Sequence, residues 1–125
     1  MRLIAAAMSA LAAGAISTSP VAAQDASGTW LRDNGSSKVK IGKCGEALCG
    51  RIVWLRSNAH SDSTGQRVFY DMKPSGPGEW HGSAFNPEDG RTYTGKMVLS
   101  GDRLTTSGCV LGGLICKSIK WRRSD

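Results

Sequence analysis

The sequence predicts an all-β chain that closes into a small antiparallel up-and-down barrel of about eight strands, with a β-sandwich as the alternative. Three observations carry that prediction. Short runs of alternating apolar and polar residues recur between clusters of Gly, Ser, Asn and Pro, and no segment sustains a helical period. Neighbouring runs flank compact turns, so they read as hairpins with one apolar face each. Four cysteines bracket two of these turns. Hairpins that follow one another in this way bury their apolar faces by closing the sheet on itself.

Residues 1–23 read as a cleaved secretory signal peptide. Arg2 is the basic start, residues 3–16 are a short Ala-rich apolar run, and Val21-Ala22-Ala23 is a small-residue cleavage site. That run is shorter than the about 20 residues a membrane span needs, and no lipobox-like cysteine follows, so no transmembrane segment or lipid anchor is expected. The remaining residues 24–125 suit a single β-barrel domain, periplasmic or secreted, where thiols oxidise. The formal charge is +6, and losing Arg2 leaves an excess of five basic residues. In an exported protein that balance points to anionic envelope partners and away from nucleic acid.

The first strand is Gly28-Thr29-Trp30-Leu31-Arg32, ended by the turn Asp33-Asn34-Gly35-Ser36. Residues 38–56, KVKIGKCGEALCGRIVWLR, form the hairpin that orders the rest. Setting Cys44 opposite Cys49 puts Ile41 against Ile52 and Val39 against Trp54 on one apolar face. Lys38, Lys40, Arg51 and both cysteines take the other face. Opposed Cβ atoms are close enough for a disulfide. Residues 57–67, SNAHSDSTGQR, are a polar loop with no apolar anchor, expected to be mobile. A short strand over 68–72 and a turn over 74–78, PSGPG, come next.

The second hairpin, residues 79–99, turns at Pro87-Glu88-Asp89-Gly90, with Asn86 capping the turn. With Asn86 opposite Arg91, Ala84 meets Tyr93, Gly82 meets Gly95 and Trp80 meets Met97 inside, while His81 meets Lys96 outside. The third hairpin spans 103–123. Cys109 opposite Cys116 sets Val110 against Ile115, Thr106 against Ile119 and Leu104 against Trp121. Arg103, Lys120 and Arg122 then lie outside, and Lys117 points inward opposite Gly108. Four cysteines allow three pairings, and the two local ones, Cys44–Cys49 and Cys109–Cys116, each close a turn.

Gly28-x-Trp30 with Arg122 or Arg123 near the end resembles the calycin pattern of lipocalins, in which a late Arg stacks over the opening Trp. A broader resemblance covers nearly all of residues 24–125. GTW, VKI, CGEALCGRIVWL, EWHGSAFNPEDGRTYTG and a C-x6-C before WRR resemble the bacterial exported family of domain of unknown function 2147. That resemblance implies a small periplasmic barrel of lipocalin-like shape. The family has no established catalytic residues, so none is carried over.

Catalytic chemistry has little support in the residues. The histidines are His60, in the polar loop, and His81, on an outer face. Committing the cysteines to disulfides removes a Cys–His pair, and two histidines without a third ligand make a poor metal site. Glu88 and Asp89 read as turn formers. No cofactor is expected, and an uncharacterised hydrolase is the enzymatic alternative. The expected function is non-catalytic binding by a monomer. Either a small apolar or amphipathic ligand sits in the barrel mouth among the inward Trp30, Trp54, Trp80, Tyr93 and Trp121, or an anionic envelope component meets the basic face of Lys38, Lys40, Arg51, Arg103, Lys120 and Arg122.

Overall fold

The computed structural model describes residues 25–57 and 64–124. The expected signal peptide and His60 lie outside the described residues. Eight strands run in sequence: β1 (Gly28–Arg32), β2 (Ser37–Cys44), β3 (Ala47–Leu55), β4 (Arg67–Gly76), β5 (Glu79–Asn86), β6 (Arg91–Ser100), β7 (Arg103–Val110) and β8 (Ile115–Arg123). Each pairs antiparallel with the next, and β8 returns to β1, closing the barrel. A short 3₁₀ turn, Leu111–Gly113, links β7 to β8.

The second and third hairpins have the registers their turns imply. Asn86 faces Arg91, Ala84 Tyr93, Trp80 Met97 and His81 Lys96. Cys109 faces Cys116, Leu104 faces Trp121, and Lys117 faces Gly108. Asn86 also caps its turn, accepting from the Glu88 amide at 2.9 Å.

The first hairpin differs. Its disulfide, Cys44–Cys49, forms, but the two residues are not opposite each other: Cys44 faces Ala47, and Gly42 faces Cys49. The turn tightens to Gly45-Glu46, with Gly45 at φ 73°, so the register moves by two. Ile41 now faces Gly50 and Val39 faces Ile52. An ideal Cβ on Gly50 would lie 2.7 Å from Phe69 Cδ2, so glycine lets the Phe69 ring lie against the strand. A bulge then leaves Val53 extra, and Trp54 faces Lys38 on the outer wall. Trp54 is therefore not in the barrel interior, as the alternation alone implied; it is 40% exposed.

Strand β4 also departs from expectation, continuing through the predicted turn to Gly76 and leaving only Pro77 and Gly78 outside strands. It bends because its register shifts between Tyr70 and Lys73, where Asp71 takes a left-handed φ of 53°. The bulge presses on Gly82, where an added Cβ would lie 2.5 Å from the carbonyl oxygens of Tyr70 and Asp71. Trp30, Val39, Ile41, Met72, Met97 and Leu104 are the most deeply buried large side chains and fill the interior.

Because strands alternate in direction, the connections fall at two ends. The turns at 45–46, 77–78 and 101–102 gather with residues 25–27 and 124 at one end. The turns at 33–36, 87–90 and 111–114, with residues 56–57 and 64–66, gather at the other.

Candidate functional site

The end that carries residues 25–27 is sealed. Trp30 is fully buried, and its Nε1–H donates to the Ala26 carbonyl at 2.8 Å. The guanidinium carbon of Arg123 lies 4.3 Å from the Trp30 ring centroid. Arg123 also donates to the carbonyls of Ser27 at 2.9 Å and Asp25 at 3.1 Å. Gly28 makes this possible: its φ is 132°, and a Cβ there would stand 2.8 Å from Arg123 Nη1. The sequence left Arg122 and Arg123 as equals. The pairing of Trp30 with Arg123 selects the second and turns Arg122 outward. Trp80 and Trp121 are buried in the same half, and Trp121 Nε1–H donates to Thr106 Oγ1 at 2.9 Å. These three tryptophans pack the interior, and the indole donors of Trp30 and Trp121 are bonded within the fold.

The opposite end is open. Alternation is unbroken across β5–β8, so inward positions can be followed from end to end. In the sealed half the inward Trp80, Met97, Leu104 and Trp121 are buried. In the open half Arg91, Val110, Ile115 and Lys117 occupy the same inward rows but are exposed, and Tyr93 is half-buried. An inward side chain that meets water marks a rim that the described residues do not fill. Tyr93 lies over Gly108, where an added Cβ would sit 3.2 Å from Tyr93 Cβ. Its hydroxyl donates to Asp89 Oδ2, and Asp89 Oδ1 accepts from the Arg91 amide at 2.9 Å. These bonds hold the Asp89 carboxyl below its ordinary range and push the Tyr93 phenol up. Tyr93 is thus the one member of the expected aromatic set at the rim.

Closure of β8 on β1 assembles the basic residues. Facing pairs make one outer row across five strands: Trp54, Lys38, Leu31, Arg122 and Arg103. Arg51 and Lys40 face each other in the next row, and the Lys120 carbonyl accepts from the Asp33 amide at 2.9 Å on the other side of it. Adjacent strands are about 4.8 Å apart, so charges from the first and third hairpins share one wall. The Lys38 ammonium stands 5.7 Å from the Trp54 ring centroid.

Two features escaped the sequence reading. His81 Nδ1 lies 2.6 Å from Ser75 Oγ on the outer wall. Both are exposed to bulk water, unlike a dry acyl-transfer site. The second is the β7–β8 tip, whose Val110, Leu111, Leu114 and Ile115 are all exposed. Its signal was present in VLGGLI, six residues without a polar side chain between two cysteines. Among the described residues, no three of His, Cys, Asp and Glu group so as to hold a metal ion, and no helix is long and apolar enough to cross a membrane.

Residues 28–123 match the family model DUF2147, described as an uncharacterised protein conserved in bacteria. No curated protein matches the sequence. Among solved structures, the chain resembles protein HP1028 from the human pathogen Helicobacter pylori, described as belonging to the lipocalin family. The TM-score is 0.66 at 16% identity, covering 81% of this chain and 84% of that one. The likeness is one of fold.

Proposed function

The chain belongs to the bacterial family DUF2147, and from its lipocalin-like barrel we propose an exported, monomeric, non-catalytic binding protein that holds a small apolar or amphipathic ligand at the open barrel end. The observation that carries this reading is the exposure of inward Val110, Ile115 and Lys117 in rows whose other half is buried. An apolar tail would lie against Val110, Ile115 and the Tyr93 ring, and an anionic head would meet Lys117 and Arg91. Two disulfides support a periplasmic or secreted location. Native mass spectrometry of protein purified from its own envelope tests this directly, by detecting a co-purified ligand. In titrations with lipids, quinones and fatty acids, Ile115→Ser should weaken saturable binding. Trp54→Ala, on the outer wall, should leave it unchanged. No saturable binding across these classes would sink the pocket.

A second reading is favoured by the continuous cationic wall: binding of an anionic envelope component through Lys38, Lys40, Arg51, Arg103, Lys120 and Arg122. Exposed charges are screened over about 8 Å at physiological ionic strength and about 3 Å at 1 M. Retention on an anionic surface should therefore fall steeply with salt and be abolished by combined Lys40→Glu and Arg51→Glu. Ligand held in the mouth chiefly by its apolar tail should lose far less affinity to salt, through Lys117 and Arg91 alone, and none to the reversal of Lys40 and Arg51. Retention unchanged by salt and by the reversal leaves this wall with solvation alone.

A further inference from the structure

The β7–β8 hairpin tip exposes four aliphatic side chains in six residues: Val110 at 39%, Leu111 at 67%, Leu114 at 84% and Ile115 at 57%. Contiguous apolar surface of this kind on a barrel rim marks a contact site. The tip stands clear of its neighbour on one side. Strand β8 last pairs with β1 at Trp121, and the Asp33 amide reaches back to the Lys120 carbonyl. Residues 115–119 continue past that point, roughly 15 Å of strand. The Cys109–Cys116 disulfide ties the two strands immediately below the tip, with Cα atoms 4.1 Å apart. Leu111 and Leu114, beyond the strand ends, are thus held out in a pre-ordered wedge with the inward Val110 and Ile115 on its mouth side, and little conformational entropy is lost when they are covered.

Charge identifies what covers them. Residues 103–123 contain no Asp or Glu. Lys117 lies nearest the tip, Lys120, Arg122 and Arg103 follow along the outer face toward the sealed end, and Arg123 is engaged on Trp30. An apolar tip on an acid-free cationic stem is complementary to a surface that is negative outside and apolar a few ångströms deeper, which describes an anionic lipid leaflet. A second copy of this chain would bring the same cations against themselves. Four side chains also fall far short of the about 800 Å² each partner buries in a stable dimer. Leu111 adds a further sign. It holds a left-handed φ of 56°, where Gly or Asn is less strained.

We propose that the β7–β8 tip inserts into an anionic lipid leaflet, with the cationic wall lying against the headgroups and the open barrel end brought to the membrane. The neighbouring β5–β6 turn carries two acids, Glu88 and Asp89, and the β1–β2 turn one, Asp33, beside Lys38, Lys40 and Lys120. The barrel must therefore approach tilted, with the β7–β8 tip leading and the β7–β8–β1–β2 side toward the lipid. This deepens the cationic-wall reading and rests on it for attraction, whereas insertion rests on the tip alone.

The test is co-sedimentation of the disulfide-intact protein with vesicles of phosphatidylglycerol and phosphatidylethanolamine, and with zwitterionic vesicles as control. Combined Leu111→Asn and Leu114→Asn should lower partitioning roughly ten- to hundredfold, since each buried leucine contributes strongly to transfer. Asn suits the left-handed position, so the fold should hold, and circular dichroism and thermal melting check that it does. Leu114→Trp should gain blue-shifted emission on anionic vesicles, quenched by brominated acyl chains, above the wild-type background. If the tip variant binds like wild type while Lys40→Glu with Arg51→Glu does not, insertion is overturned and the cationic wall stands. If wild type ignores anionic vesicles, both fail for lipid. If sedimentation velocity shows tip-dependent self-association without vesicle binding, the tip is a protein interface and the proposal is wrong.

Discussion

The two ends of this barrel are built from the same strands and differ in what their inward rows meet. At one end Trp30, Leu104 and Trp121 are buried, and Arg123 and Ala26 close over Trp30. At the other, Val110, Ile115 and Lys117 hold equivalent inward positions and face water. A β-strand fixes which side a residue points to, but only the chain's ends and loops decide whether that side is roofed. The sealed end holds the buried core, and the open end is where binding is proposed.

The largest test of that contrast is Trp30→Ala. Removing a fully buried indole should cost about 3–5 kcal/mol in urea unfolding, whereas Ile115→Ser at the open end should stay within about 0.5 kcal/mol. Equal losses would mean the open rim is packed like a core. Gly82→Ala comes next. Its Cβ would meet backbone carbonyls at 2.5 Å that no rotamer change can move, and a loss of about 1–3 kcal/mol is expected from strain. Arg123→Ala should cost about 1–2 kcal/mol through the lost stacking on Trp30 and lost hydrogen bonds. Its neighbour Arg122→Ala, pointing outward, should change stability little. A reversed order would show that the roof is not Arg123.

The smallest effect lies at the open rim, in the Tyr93–Asp89 pair. Asp89 is held below its ordinary value of 3.8, so its contribution is present above that pH and is lost as pH falls through the folded value. Tyr93 is raised above 10.0, so its contribution is present below that pH and is lost as pH rises through the folded value. Melting of wild type and Tyr93→Phe across pH should therefore differ by a small constant amount between these limits and converge at both extremes. Because both groups are solvated at the rim, salt and water keep the difference small.

The legible parts of the fold were those with local causes. The turn Pro87-Glu88-Asp89-Gly90 and the Cys109–Cys116 bracket each set a register that holds along a whole hairpin. The inward placement of Lys117 followed as well, although it reads as an error until the end it sits in proves open. The first hairpin misled because a disulfide tolerates both directly opposed and diagonal partners. The two-residue turn Gly45-Glu46 was satisfied at the expense of facing cysteines. Trp54 was then carried outward by one extra residue, Val53, and no local pattern announces a bulge whose cause is the curvature of a closed sheet.

By itself the sequence determined the all-β class, the turns at 33–36 and 87–90, both disulfide partners and the inward and outward sets of β5 through β8, because alternation and turn chemistry act over a few residues. It also carried the family signature. Only the tertiary structure decided that Arg123 and not Arg122 seals the barrel, that Trp54 stands beside Lys38 outside it, and that the first and third hairpins share one cationic wall. The second depends on a bulge in the pairing of β2 with β3, and the first and third on β8 meeting β1 across nearly the whole described chain. A contact at that separation is settled by how the curved sheet closes, and no short stretch of residues encodes it.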